Sequence, residues 1–254
     1  MTDKAPLLLL HGVMMSARAW DRVVPLLSDS YDVVVPTAAG HRGGPVLSGR
    51  ATVAELTDHT ERHLDALGLD TVHVAGNSLG GWMGVELARR GRARSVCGLS
   101  PAGFWRPGTT DQTRPVRRLH AVRHLTRASS PALGLVTRSA LVRRLSMRDI
   151  AAHGERTTPE EAVGAATDLL GCTAGLELLA TTESIAPLDP LPCPITFAWP
   201  DRDRIFSQEV HGAIARRVVP GARHVVLPDT GHVPMIDEPG LCARVIAETA
   251  APTP

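Results

Sequence analysis

Residues 71–86 read TVHVAGNSLGGWMGVE, one serine among glycines between a valine-rich run and a run with helical spacing. β-Branched Thr71, Val72 and Val74 suit a buried, pleated surface, so Thr71–Ala75 is expected to be a strand. From Leu79 onward, Leu79, Trp82, Met83, Val85 and Leu87 keep one apolar stripe facing inward on a helix. Gly76-Asn77-Ser78-Leu79-Gly80 is then a strand-to-helix corner, where two backbones come close and a Cβ on the flanking positions would collide. Ser78 at the apex is expected in a strained conformation with its hydroxyl outward, beside the unpaired N–H groups and positive dipole end of the helix. That arrangement suits a nucleophile and the oxyanion it generates. A glycine-rich connector is the plainer alternative, and the flanking strand and helix weigh against it.

The chain around this corner has 254 residues, enough for one α/β domain that buries roughly 70–75% of its unfolded surface. A formal charge of +1 supplies no field to draw nucleic acid or anionic membranes. The early apolar run Leu7–Leu10 is too short for a signal-peptide core, and nothing approaches the roughly 20 apolar residues of a membrane span. A cytoplasmic location with no membrane partner is expected. Cys97, Cys172, Cys193 and Cys242 lack metal-ligand spacing and read as free buried thiols of a reducing compartment. Lys4 is the only lysine, an arginine bias typical of a GC-rich bacterial genome.

Strand-like runs recur at Leu7–Leu10, Asp32–Val35, Thr71–Ala75, Ser95–Leu99, Ile195–Trp199 and His224–Leu227, with helix-length segments between most of them. Short, almost continuously apolar strands alternating with helices predict an α/β fold, a doubly wound and mostly parallel sheet of about six strands. The alternation stops between Pro101 and Pro194, where proline-punctuated helical pieces predict a cap over residues 101–193, leaving 1–100 and 194–254 as the core. Thr158-Pro159-Glu160-Glu161 marks a helix start in that cap. An insertion at the carboxyl end of a strand is well placed to become a lid.

A serine hydroxyl needs a base, and the base needs a carboxylate to fix its tautomer. His232, in Asp229-Thr230-Gly231-His232-Val233-Pro234 after the last strand, emerges on the same edge as Ser78. The acid is sought in Trp199-Pro200-Asp201-Arg202-Asp203, after the preceding strand. The order Ser, Asp, His, the elbow Gly76-Asn77-Ser78-Leu79-Gly80-Gly81, the early Leu8-Leu9-Leu10-His11-Gly12 and the late Gly231-His232 together resemble the α/β-hydrolase family. The resemblance covers nearly the whole chain. It implies Ser78 as nucleophile, His232 as base, Asp203 as acid, and the backbone N–H groups of Val13 and Leu79 as oxyanion hole. His11 is implied to shape the oxyanion turn rather than to react.

Some positions depart from the family pattern. Pro200 replaces the glycine before the acid turn; counting three residues beyond it reaches Asp203 rather than Asp201. The loop after the second strand is Thr37-Ala38-Ala39-Gly40-His41-Arg42-Gly43 instead of the frequent Asp-x-x-Gly-x-Gly. The chain opens on the family's third strand, so the sheet is expected to have six strands rather than eight. Met14, Met15, Phe104, Trp105, Phe206, Val233 and Met235 flank the active loops and are candidates for the substrate pocket. Trp82, Met83 and Val85 read as core.

The expected activity is hydrolysis of a carboxylic ester, lactone or thioester of a small, mainly apolar acid, with no metal or cofactor. An aspartate at the elbow would instead signal an epoxide hydrolase or dehalogenase, and Ser78 excludes those. Carbon–carbon bond hydrolysis, acyl transfer or cyclisation, and a non-catalytic ligand-binding receptor or scaffold are the alternatives. Residues 106–148 carry ten arginines against one acid, Asp111. With Val116, Leu119, Val122 and Leu125 as the buried stripe, this reads as a solvated lid surface, as a dock for an acidic partner such as an acyl-carrier protein, or as a site that recognises a substrate carboxylate.

Overall fold

The computed structural model describes residues 4–251. Each expected run becomes a strand: β1 (Ala5–Leu10), β2 (Tyr31–Val34), β3 (Val72–Asn77), β4 (Ala93–Leu99), β5 (Ile195–Pro200) and β6 (Arg223–Leu227). All pairings are parallel, in the order β2-β1-β3-β4-β5-β6. Successive side chains of a strand face opposite ways, so an unbroken leucine run serves both faces of a sheet. Leu8 and Leu10 of β1 join Val72, Val74 and Phe197 in one core, which the helices Val53–Ala66 and Leu79–Arg89 cover with Leu56, Leu64, Trp82 and Met83. Leu7 and Leu9 join Ala75, Leu99 and Ala198 in the other, covered by Trp20, Val23 and the helix Pro239–Ala250. This two-sided covering is the doubly wound arrangement.

The chain reverses its direction of winding between β1 and β3, and a crevice opens at the carboxyl ends of strands at such a switch point. Ser78 follows β3 directly and Gly12 follows β1. Between β4 and β5 the chain forms no strand, only helices, the longest being Thr110–Ser129 and Pro159–Gly171. The second starts where the sequence marks it. Thr158 Oγ1 accepts from Glu161 N at 3.1 Å and the Glu161 carboxylate accepts from Thr158 N at 2.7 Å, behind Pro159 in the first turn.

The stripe expected on Thr110–Ser129 needs correction. Gln112 and Pro115 are buried and Val116 and Leu119 pack on the core, whereas Leu125 is 63% exposed. The helix meets the core through its first half only. The insertion is fastened elsewhere by Asp168, a buried carboxylate that accepts from Ser16 Oγ at 2.5 Å and Arg42 Nη1 at 3.1 Å. Gly164 and Gly171 lie on the same helix face, and an added Cβ would come 2.8 Å from Arg18 Nη1 and 2.7 Å from Arg42 Cδ. Removing one partner of such a buried charge is costly, so this clasp ties the insertion to the loops after β1 and β2.

Of the four cysteines, all free thiols, Cys97, Cys172 and Cys242 are buried as expected, but Cys193 is only partly so. Burial pushes the Cys97 thiol up to about 12, which leaves it unreactive.

Candidate active site

The corner is tight enough to require its glycines. A Cβ on Gly76 would lie 2.2 Å from the Gly80 carbonyl carbon, and one on Gly80 2.2 Å from Leu10 O. Ser78 between them has φ 54° and ψ −114° and is followed at once by the helix Leu79–Arg89. Among the described residues, four non-glycine residues have positive φ: Met14 (61°), Ser78 (54°), Ser100 (47°) and Asp229 (59°). They occupy the segments after β1, β3, β4 and β6, all at the carboxyl edge of the sheet. Such conformations cost on the order of 1–3 kcal/mol each and gather where a structure holds side chains for use.

His232 and Asp203 meet in this edge. His232 Nδ1 lies 3.0 Å from Asp203 Oδ2, with the side chains 5% and 1% exposed. Asp203 Oδ1 accepts from the backbone N–H groups of Ile205 at 2.7 Å and Phe206 at 2.9 Å. Burial would raise the Asp203 carboxyl, but the His232 imidazole, the Ser100 hydroxyl and the Phe206 N–H outweigh it and hold the group below its ordinary range. Asp201 is exposed, and its Oδ1 accepts from Thr230 N at 3.3 Å. Among the described residues neither neighbouring arginine forms an ion pair with it, and Arg202 binds Asp229 at 2.7 Å.

Two residues that sequence reasoning passed over complete the arrangement. Asn77 Nδ2 donates to Leu99 O at 3.0 Å and to His232 O at 2.9 Å, tying the ends of β3 and β4 to the histidine loop. Ser100 Oγ donates to Asp203 Oδ2 and lies 3.1 Å from His232 Nδ1. The Gly-Asn-Ser triplet was the only sequence signal for the first, and nothing local signals the second. Ser78 Oγ and His232 Nε2 have no hydrogen bond among the described residues; such contacts are often loose before substrate binds.

Ser78 opens on an apolar cavity of about 40 Å³ lined by Val13, Leu79, Trp82, Trp105 and Phe206, with Pro115, Val116, Leu119, Leu178 and Leu179 contributed by the insertion. Gln112 also reaches it, but its Oε1 accepts from Gly108 N at 2.8 Å and its Nε2 donates to Thr181 O at 2.5 Å, so its polarity is spent internally. The N–H groups of Val13 and Leu79 donate to no backbone carbonyl among the described residues. The Phe206 ring lies edge-on to His232, centroids 5.1 Å apart, linking the histidine to this cavity.

None of the other pocket candidates lines this cavity, although Met15 Sδ lies close to Ser78, an added Cβ on Gly12 coming 3.0 Å from the sulfur and 3.4 Å from Ser78 Cβ. Phe104 packs in the core against Phe197, centroids 5.0 Å apart, and Met14 faces Gly175 and Cys172. Val233 and Met235 are buried in the core with Leu7 and Leu9, with Met15 packed against it. Trp82, read as core, lines the cavity as well.

His11 accepts from Ala38 N at Nε2 (3.0 Å) and its Nδ1 lies 2.8 Å from Gly12 O, bracing the turn that carries Val13. Burial, with His41 beside it, pushes the His11 imidazole down to about 3. Unfolded, the same group takes up a proton near pH 6.5, so between these values the unfolded chain binds more protons and stability falls as pH falls. This group alone is expected to cost roughly 3 kcal/mol of unfolding free energy between pH 7 and pH 4. Urea unfolding at the two pH values measures it; equal stability would contradict the assignment.

Among the described residues no group of three or more His, Cys, Asp or Glu side chains is arranged to hold a metal ion, and no helix is long and apolar enough to cross a membrane. Residues 7–245 match the family described as the alpha/beta hydrolase family. The chain is 32% identical over 201 residues to epoxide hydrolase EphH of Mycobacterium tuberculosis, covering 76% of this chain and 92% of that protein. It is 30% identical over 261 aligned positions to the pimeloyl-[acyl-carrier protein] methyl ester esterase of Aromatoleum aromaticum, covering 97% and 98%. Among solved structures, a thermophilic esterase from Thermogutta terrifontis superposes with a TM-score of 0.73 at 24% identity, over 96% of this chain and 88% of that one.

Proposed function

The chain belongs to the alpha/beta hydrolase family, and on that premise we propose that it is a serine hydrolase cleaving a carboxylic ester, lactone or thioester through an acyl-enzyme on Ser78. The observation that carries the reading is the buried 3.0 Å contact of His232 Nδ1 with Asp203, at the strand edge where a strained Ser78 faces an apolar cavity. With its Nδ1 proton held by Asp203, His232 presents a lone pair at Nε2. It takes the Ser78 proton as Oγ attacks the carbonyl, and the tetrahedral oxyanion is held by the N–H groups of Val13 and Leu79. Collapse expels the alcohol or thiol, which receives that proton, and a water activated by His232 releases the acid. Residues 101–193 act as the cap and residues 1–100 with 194–254 as the core, of which 1–3 and 252–254 lie outside the described residues.

The relative named as an epoxide hydrolase does not shift this reading, because the elbow here carries a serine. The relative named for a pimeloyl-carrier ester, together with the ten arginines and one acid of residues 106–148, supports an acidic carrier protein as the bearer of the acyl group. Labelling of Ser78 by a fluorophosphonate, followed by a panel of p-nitrophenyl esters, lactones and acyl thioesters, tests the proposal; absence of labelling in folded protein would sink it.

The cavity also sets an expectation for the acyl group. A cavity of about 40 Å³ holds only a few water-sized groups, and its lining is apolar apart from Ser78, Gln112 and Thr181. Forcing extra methylenes into a packed site costs about 1–3 kcal/mol. p-Nitrophenyl acetate and butyrate are therefore expected to exceed the decanoate in kcat/KM by roughly tenfold or more. Trimming Trp105 to alanine should shift the optimum toward longer chains while probe labelling persists. A uniform loss across substrates and probe would assign Trp105 to packing instead.

A further inference from the structure

We propose that Ser100 is a positioning residue of the reaction, one whose hydroxyl fixes the tautomer and orientation of His232 through Asp203; this rests on the serine hydrolase reading. A serine after a strand ordinarily turns its hydroxyl onto a nearby backbone group. Ser100 does not. Its Oγ reaches Asp203 Oδ2 and His232 Nδ1, residues 103 and 132 positions away in sequence, and the residue has no exposed surface.

The hydrogen-bond count leaves the hydroxyl one arrangement. Asp203 Oδ1 is occupied by Ile205 N and Phe206 N, and Oδ2 faces both Ser100 Oγ and His232 Nδ1. Ser100 has one proton, which goes to the carboxylate, so the oxygen offers a lone pair to the imidazole. The Nδ1 proton is then shared between two acceptors, Asp203 Oδ2 at 3.0 Å and Ser100 Oγ at 3.1 Å. A proton held at Nδ1 from two sides keeps Nε2 free to accept from Ser78. Loss of the hydroxyl leaves the ring one tether and the carboxylate one donor fewer.

The backbone points the same way. Ser100 has φ 47°, a region glycine occupies without cost, and it is anchored there by Ser100 N donating to Ala198 O at 2.8 Å. Of the four strained non-glycine residues at the sheet's edge, it is the one whose side chain joins the acid to the base. A Cβ at this φ is accounted for by what its hydroxyl does.

The test uses Ser100→Ala and, in case alanine is not tolerated, Ser100→Gly, which removes the hydroxyl while relieving the backbone. Either is expected to lower kcat and the rate of fluorophosphonate labelling about tenfold with KM within about twofold, and to displace the acid limb of the kcat/KM profile. In an Asp203→Asn background the same change should add less than about twofold, because the two groups act as one unit. The proton NMR resonance of His232 Nδ1–H should move in either variant. A folded variant with unchanged turnover, pH profile and resonance would overturn the proposal, as would a tenfold loss that persists in Asp203→Asn. Wild-type protein that does not label would instead defeat the serine hydrolase reading, and the His232 resonance would still decide the role of Ser100.

Discussion

Replacing Ser78 with alanine is expected to abolish covalent labelling and to lower kcat by roughly 10⁶ while the protein stays folded. The hydroxyl is the nucleophile in the proposed reaction, and no neighbouring group substitutes for it. Alanine keeps the Cβ at φ 54°, so the strain of the corner is unchanged, and Ser78 Oγ forms no hydrogen bond among the described residues that folding would lose. The backbone anchors also survive, since Ser78 N donates to Leu99 O at 3.1 Å and Ser78 O accepts from Ala102 N at 3.0 Å. Thermal unfolding should therefore match the parent protein. Residual turnover of roughly 10³–10⁴ over water can remain from the oxyanion hole and binding. Undiminished hydrolysis by the folded alanine variant would remove Ser78 from the mechanism.

The fold was largely legible because its signals are local. The apolar run Leu7–Leu10 needs two buried faces, and a parallel sheet covered on both sides supplies them. The corner at Ser78 was legible for the same kind of reason: the Gly76 and Gly80 positions admit no Cβ, and a glycine written there records that contact in the sequence. The capping box at Thr158 and Glu161 is likewise written within four residues.

What escaped the sequence depends on where side chains point once distant segments meet. Phe104 and Trp105 are adjacent and both aromatic, yet one turns into the core against Phe197 and the other into the cavity, and no periodicity distinguishes them in a loop. Leu125 continues the spacing of Val116 and Leu119, but the core beneath the helix ends before it. Ser100 carries no motif; its role follows from the parallel register of β4 with β5, which sets the residue after Leu99 beside the turn after Pro200. The face Gly164, Asp168, Gly171 was readable as i, i+4, i+7 on a helix, but its partners Arg18 and Arg42 lie more than a hundred residues away.

The acid is the member of the site on which the sequence left two neighbours open, and Asp203→Asn and Asp201→Asn are expected to separate them. Asp203 has a side chain 1% exposed, with both oxygens committed, one to Ile205 N and Phe206 N and the other to Ser100 and His232. Asparagine can keep the backbone donors on its oxygen, but its amide then turns N–H groups toward Ser100 and His232 Nδ1. Two donors cannot face each other, so the imidazole proton moves to Nε2, where it blocks acceptance from Ser78. The cost of that wrong tautomer is roughly 10⁴ in kcat. Asp201 is exposed and gives one acceptor to Thr230 N at 3.3 Å, which the asparagine oxygen can retain. Its replacement should cost less than about tenfold, so the two variants should differ by roughly 4 kcal/mol in activation free energy. Both should be folded, and both should keep Ser78 accessible to the probe, with the rate of labelling falling in Asp203→Asn alone. A loss concentrated in Asp201→Asn would transfer the role of acid to that residue and mean that the turn after Pro200 rearranges in the working enzyme.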